Sequence, residues 1–112
     1  MGYAIKLSHR AERDLHALFE FLDASNSAAA RRWFSGLEKT IYRLERLPRR
    51  GPRAAEARKI RRPLRHLLYG DRPDVYRVIY EIHDSTRTVL VLAVRHGARD
   101  QLTPGKTSKR PV

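Results

Sequence analysis

A chain of 112 residues without cysteine can build one hydrophobic core, but neither a disulfide framework nor a zinc–thiolate site. Its 24 Lys and Arg against 12 Asp and Glu give a formal charge of +12, carried mostly by arginine, so the expected partners are polyanions or an acidic protein. No apolar run approaches the roughly 18 residues of a membrane span, and Met1-Gly2-Tyr3-Ala4-Ile5-Lys6 lacks the apolar stretch of a secretory signal, so the expectation is a cytoplasmic protein with no membrane role.

Tyr3-Ala4-Ile5-Lys6-Leu7 alternates with period two and predicts a first strand, with Ser8 as the N-cap of a following helix. Ala11, Leu15, Leu18, Phe19 and Leu22 recur at helical spacing, with Glu12, Arg13, Asp14, His16 and Glu20 on the remaining faces. The polar run Asp23 to Ser27 breaks this pattern and offers the next cap at Asn26 or Ser27. A longer stripe of Ala30, Trp33, Phe34, Leu37, Ile41, Leu44 and Leu47 then runs to Pro48, so residues 9 to 47 read as an antiparallel helical hairpin. Trp33, Leu37, Ile41 and Leu44 are expected to pack against Leu15, Phe19, Leu22 and one sheet face.

Pro48-Arg49-Arg50-Gly51-Pro52-Arg53 is turn punctuation, and the charged residues to Arg62 read as an exposed loop or frayed edge. Leu64 to Tyr69 forms a short strand that turns at Gly70 to Asp74. Two strongly β-prone runs follow, Val75 to Ile82 and Val89 to His96, joined by a loop at Asp84-Ser85-Thr86-Arg87. That loop sets His83 opposite Thr88 and Arg77 opposite Val94. His96 then becomes the diagonal neighbour of Arg77 on the same face, about 7–8 Å away, while Arg95 points to the other face. The sum is an α+β fold of order β-αα-βββ, with the helical hairpin packed on one face of a small antiparallel sheet, the other face open, and the first strand beside the last. One domain spans residues 1–102, and residues 103–112 form a disordered basic tail.

The opening strand with Ala11-Glu12-Arg13-Asp14-Leu15, the Ala29-Ala30 entry to the second helix, Leu44-Glu45-Arg46-Leu47-Pro48 with Gly51-Pro52, Leu64-Arg65, Tyr76-Arg77-Val78-Ile79-Tyr80 and Arg95-His96-Gly97-Ala98-Arg99-Asp100 together resemble the RelE/ParE superfamily of bacterial toxins from type II toxin–antitoxin systems. The resemblance runs from Tyr3 to about Leu102 and implies the same sheet-and-hairpin fold. It also implies a cognate antitoxin, ParD-like or RelB-like, whose disordered segment folds as it wraps the toxin, with no cofactor and no metal. Two activities are implied. RelE-like members cut mRNA on the ribosome, whereas ParE-like members poison DNA gyrase and lack the nuclease residues.

Metal-independent ribonucleolysis needs a base for the 2′-hydroxyl, cations on the phosphorane and an acid for the leaving oxygen. By resemblance, Arg77 matches the arginine used at the scissile phosphate and His96 falls where an acid or base lies, with Arg65 as a second phosphate clamp. The plainer readings are a strand-end His96 satisfied by a backbone partner, and an Arg77 paired with Glu81 or with an antitoxin carboxylate. No tyrosine follows Tyr80, and Gly97 stands beside the position where an arginine would stabilise the transition state. These departures, with the long helical hairpin, favour the ParE-like reading. In that reading Arg65, Arg77, His96 and Arg99 contact the target or the antitoxin. A basic nucleic-acid-binding module without toxicity is the third reading, although the chain lacks the aromatic pairs of a base-stacking platform.

Overall fold

The computed structural model describes residues 2–97. Strand β1 (Ala4–Leu7) leads into helix α1 (His9–Phe21), whose N-cap Ser8 accepts a hydrogen bond from the Ala11 backbone N–H. Helix α2 (Ala28–Tyr42) is capped in the same way by Ser27, which accepts from the Ala30 N–H, and it tightens into a 3-10 turn at Arg43–Glu45. A second 3-10 turn at Pro48–Arg50 and a short helix α3 (Glu56–Ile60) precede β2 (Arg65–Tyr69), β3 (Tyr76–His83) and β4 (Thr88–His96).

The sheet order is β1-β4-β3-β2, with β1 beside β4 as expected. That pair is parallel, so the sheet is mixed, and only the β2, β3 and β4 portion is antiparallel. β1 is short and covers β4 only as far as Val91. Beyond it, α1 completes the ladder: the Ser8 hydroxyl donates to the Leu92 carbonyl at 2.9 Å, and the Asp14 carboxylate accepts the Val94 N–H at 2.9 Å. Side chains thus satisfy backbone groups that no strand reaches.

The main core lies between the hairpin and the sheet. Leu37, Leu44, Val78, Tyr80, Val89 and Val91 are all fully buried, and Trp33, Leu15, Phe19 and Leu22 pack against them as the apolar stripes predict. The helical hairpin ends earlier than its periodicity suggests, since Leu47 lies past the 3-10 turn and is exposed.

Two expectations fail here. The stretch read as an exposed loop up to Arg62 contains α3, which lays Ala57 with Ala54 and Leu64 on Ile79, forming a second, smaller core on the opposite sheet face. That face is therefore partly covered. The second correction is register. His83 does face Thr88, but a β-bulge intervenes: Tyr80 pairs with Val91 and Ile79 with Ala93, leaving Leu92 as the extra residue. Every pair beyond it shifts by one, so Arg77 faces Arg95, Val78 faces Val94 and Tyr76 faces His96. A one-residue slip exchanges the two faces. His96 therefore shares the hairpin side with Tyr76, while Arg77 lies on the α3 side, with Arg95 rather than His96 as its neighbour.

Candidate functional site

Arg77 is the centre of the α3 side. Its two terminal nitrogens donate to the two Glu56 carboxylate oxygens, each at 2.6 Å, and both residues are buried. Its Nε also donates to His66 Nδ1 at 3.2 Å. Since a ring nitrogen that accepts carries no proton, His66 is held as the neutral tautomer with hydrogen on Nε2. Burial pushes the His66 pKa below the ordinary imidazole value, the Arg77 charge lowers it further, and Glu56 opposes only in part. The fork-on-fork geometry makes this a strong charge-assisted pair, with the guanidinium charge cancelled inside the protein.

Arg65 sits on the neighbouring strand, opposite Tyr80 in register, and is half-buried. Its Nη1 donates to the Gly51 carbonyl at 2.7 Å. The Tyr80 hydroxyl donates to the Pro48 carbonyl at 2.7 Å and accepts the Gly51 N–H at 3.1 Å, so strand and turn are locked together. Gly51 is required by this closeness, because a Cβ there would lie 2.4 Å from the His66 carbonyl oxygen. Burial raises the Tyr80 pKa, against the opposing influence of the Gly51 N–H and of Arg65, Arg50 and Arg49.

His96 belongs to a different environment. Its ring packs edge-on against Tyr76 at 5.2 Å, and Tyr76 meets Trp33, which in turn meets Tyr69, in one aromatic ladder along the hairpin side. His96 is buried, with Nε2 3.6 Å from the Asp74 carboxylate. Beside it lies a shallow cleft of about 290 Å³ lined by Asp14, Leu18, Phe21, Tyr76, Val94 and Arg95. Burial lifts the Asp14 pKa, with the Val94 N–H and then Arg95, Arg10 and Arg13 acting in the opposite sense.

Of the four residues singled out from the sequence, Arg77 alone lies on the α3 side; Arg65, opposite Tyr80, and His96, opposite Tyr76, lie on the hairpin face at separate places in the register, and Arg99 falls outside the described residues, as does the tail at 103–112. Arg77 pairs with Glu56 and not with Glu81, whose carboxylate is taken by Arg62 and His83. Sequence reasoning missed Glu56 and His66. One signal for Glu56 was present: it is the only acid between Glu45 and Asp71, alone in an arginine-rich stretch. Among the described residues, no group of three His, Asp or Glu side chains gathers with the spacing of a metal site. A phosphate clamp needs an accessible guanidinium next to an acid or base, and here the guanidinium is consumed while the histidine is on the other face.

A family model described as ParE toxin of type II toxin-antitoxin system, parDE, matches residues 5–101. No curated protein matches the chain significantly. Among solved structures, the toxin–antitoxin complex RelBE2 from Mycobacterium tuberculosis aligns with a TM-score of 0.57 and 23% identity over 86% of this chain and 92% of that one. A double arginine-to-alanine mutant of the E. coli toxin RelE in the free state aligns with a TM-score of 0.54 and 17% identity over 88% of this chain and 86% of that one. At these identities the two structures establish the shared fold.

Proposed function

The chain belongs to the ParE toxin family of type II toxin–antitoxin systems, and from that premise we propose that it inhibits DNA gyrase through protein contacts, performs no chemistry of its own, and is neutralised by a cognate antitoxin. The observation that carries this reading is the fate of Arg77: buried, bonded at both terminal nitrogens by Glu56, and separated by the sheet from His96. A ribonuclease built on these residues would have to break a buried ion pair before it could touch a phosphate, which is a large cost for a resting enzyme. An inhibitor needs only an exposed surface, and the high positive charge accelerates encounter with an acidic target. The antitoxin reading is supported by the RelBE2 structure, which is itself a toxin–antitoxin complex of the same fold.

The test is expression of the chain without antitoxin, together with purified gyrase acting on plasmid. The expected result is loss of supercoiling and accumulation of cleaved DNA, with mRNA intact on translating ribosomes. Cut mRNA with gyrase unaffected would replace this reading by the ribosome-dependent endonuclease.

A further inference from the structure

Four large apolar side chains stand well exposed among the described residues: Phe21, Tyr42, Leu47 and Leu68. A single exposed apolar side chain is ordinary, but two that meet in one concavity form a patch. Tyr42, 51% exposed, and Leu47, 60% exposed, line one cleft of about 380 Å³ where α2 gives way to the 3-10 turn, together with Lys39, Arg43, Glu45 and Arg46. Ile41 and Leu44, in the same turns, are buried in the main core and fix the backbone that carries the cleft. The Tyr3 N–H donates to the Glu45 carbonyl at 2.9 Å, and the Leu47 N–H to the Arg43 carbonyl at 3.2 Å. Just beyond Leu47, the Tyr80 hydroxyl holds the Pro48 carbonyl. The cleft is therefore preformed, and filling it requires little ordering.

The charges around the cleft are uneven. Lys39, Arg43 and Arg46 are exposed, recur at the spacing of successive helical turns, and form no ion pair with a carboxylate of the described residues. The one acid of the lining, Glu45, lays its side chain against Gly2, where a Cβ would come 2.7 Å from its Cγ. We propose that this cleft docks an acidic amphipathic helix of a partner protein, its apolar side chains seated against Tyr42 and Leu47 and its carboxylates meeting Lys39, Arg43 and Arg46. Apolar anchors that include a tyrosine, with arginine alongside, are the composition of a protein interface. Acids one helical turn apart on the partner match these cations in spacing, as in helix-in-groove recognition. A nucleic-acid backbone makes no use of an aliphatic anchor such as Leu47. A second copy of this chain, paired through the same patch, would set the three cations against their counterparts between two molecules of charge +12 each. None of Arg65, Arg77 and His96 lines the cleft, and the inference does not depend on whether the toxin acts on gyrase.

The experiment titrates the full-length chain, with no gyrase present, against a fluorescent synthetic peptide: a helix of about five turns with Leu along one face and Glu on both flanks. Any acidic peptide is drawn to a chain of charge +12, so a scrambled isomer of identical composition separates fit from attraction. At about 150 mM salt the amphipathic peptide should bind roughly tenfold tighter than its isomer. Tyr42→Ala/Leu47→Ala should abolish that preference. Lys39→Ala/Arg43→Ala/Arg46→Ala should weaken binding about tenfold at low salt and much less at about 1 M. These side chains are exposed, so circular dichroism should show both variants folded, with melting points close to that of the unaltered chain. Two controls remove equally exposed groups from outside the cleft, Phe21→Ala/Leu68→Ala and Arg32→Ala/Arg58→Ala/Lys59→Ala, and each should change affinity less than about twofold. Equal affinity for the two isomers would overturn the proposal, as would equal losses in the cleft variants and their controls. Binding of single-stranded RNA or phosphatidylserine vesicles, or self-association, that is lost in Tyr42→Ala/Leu47→Ala while peptide binding is not would assign the cleft to another occupant and overturn it likewise.

Discussion

At the scale of single residues, the buried Arg77–Glu56 pair decides what the α3 side can do. Two opposite charges out of water are tolerated because the geometry is bidentate and His66 takes up the remaining Nε donor. Glu56→Gln leaves the guanidinium buried without its counter-charge and is expected to cost about 3–5 kcal/mol, read from urea unfolding. Glu56→Leu combined with Arg77→Met should recover most of that loss, since replacing both partners by apolar groups removes the desolvation penalty. Glu81 makes a pH prediction. Its burial pushes its pKa up, but hydrogen bonds from Arg62 and His83 outweigh this and hold it below the ordinary carboxylate value. A carboxylate with a depressed folded pKa contributes stability that is present above its unfolded value and is lost as pH falls through the folded one. Unfolding midpoints measured from pH 7 down to pH 2 should therefore fall less steeply on the acid side for Glu81→Gln than for the unaltered chain.

At the scale of elements, the bulge at Leu92 reconciles two demands on β4. Near the hairpin loop, Val89 and Val91 must face the helices; farther along, Val94 and His96 must do so as well, and these sets are out of phase by one residue. The extra residue absorbs that phase difference and directs Leu92 to the second core under α3. The helical hairpin is fixed to the sheet by complementary packing. Gly36 allows Tyr69 to reach the Trp33 carbonyl, since a Cβ there would lie 2.2 Å from the Tyr69 oxygen. Leu37, one turn after Trp33 on the same helix, is fully buried. Leu37→Ala is expected to destabilise the fold by about 2–5 kcal/mol in a denaturant or thermal melt, through lost burial and the cavity left behind.

At the scale of the whole molecule, the sheet separates two surfaces of different chemistry. The hairpin side carries the aromatic ladder, His96 and the cleft beside it, with Phe21 exposed at the end of α1. The α3 side carries the exposed Arg58 and Lys59 of that helix beside a sealed ion pair. Because His96 and Arg77 do not meet, His96→Gln should leave growth inhibition intact when the toxin is expressed without antitoxin, while an acid–base role would lower the rate by about 10²–10⁴-fold and abolish it. A folded His96→Gln variant that is harmless and still binds antitoxin would restore the nuclease reading.

The sequence by itself determined the order of the two long helices and the four strands, the helical hairpin and its core stripe, Ser8 as the first N-cap and the loop after His83. Each of these depends on local periodicity, capping chemistry or turn composition, which residues a few positions apart carry among themselves. It also marked Arg65, Arg77 and His96 as noteworthy, by residue type and family resemblance. Only the tertiary structure decided that they form no common site. The bulge at Leu92 arises from matching two cores on opposite faces of one strand, and no local pattern around Leu92 announces it. The partner of Arg77 comes from 21 positions away, on a five-residue helix whose own propensity is too weak to stand out and which exists because the sheet gives Ala57 and Glu56 something to pack against.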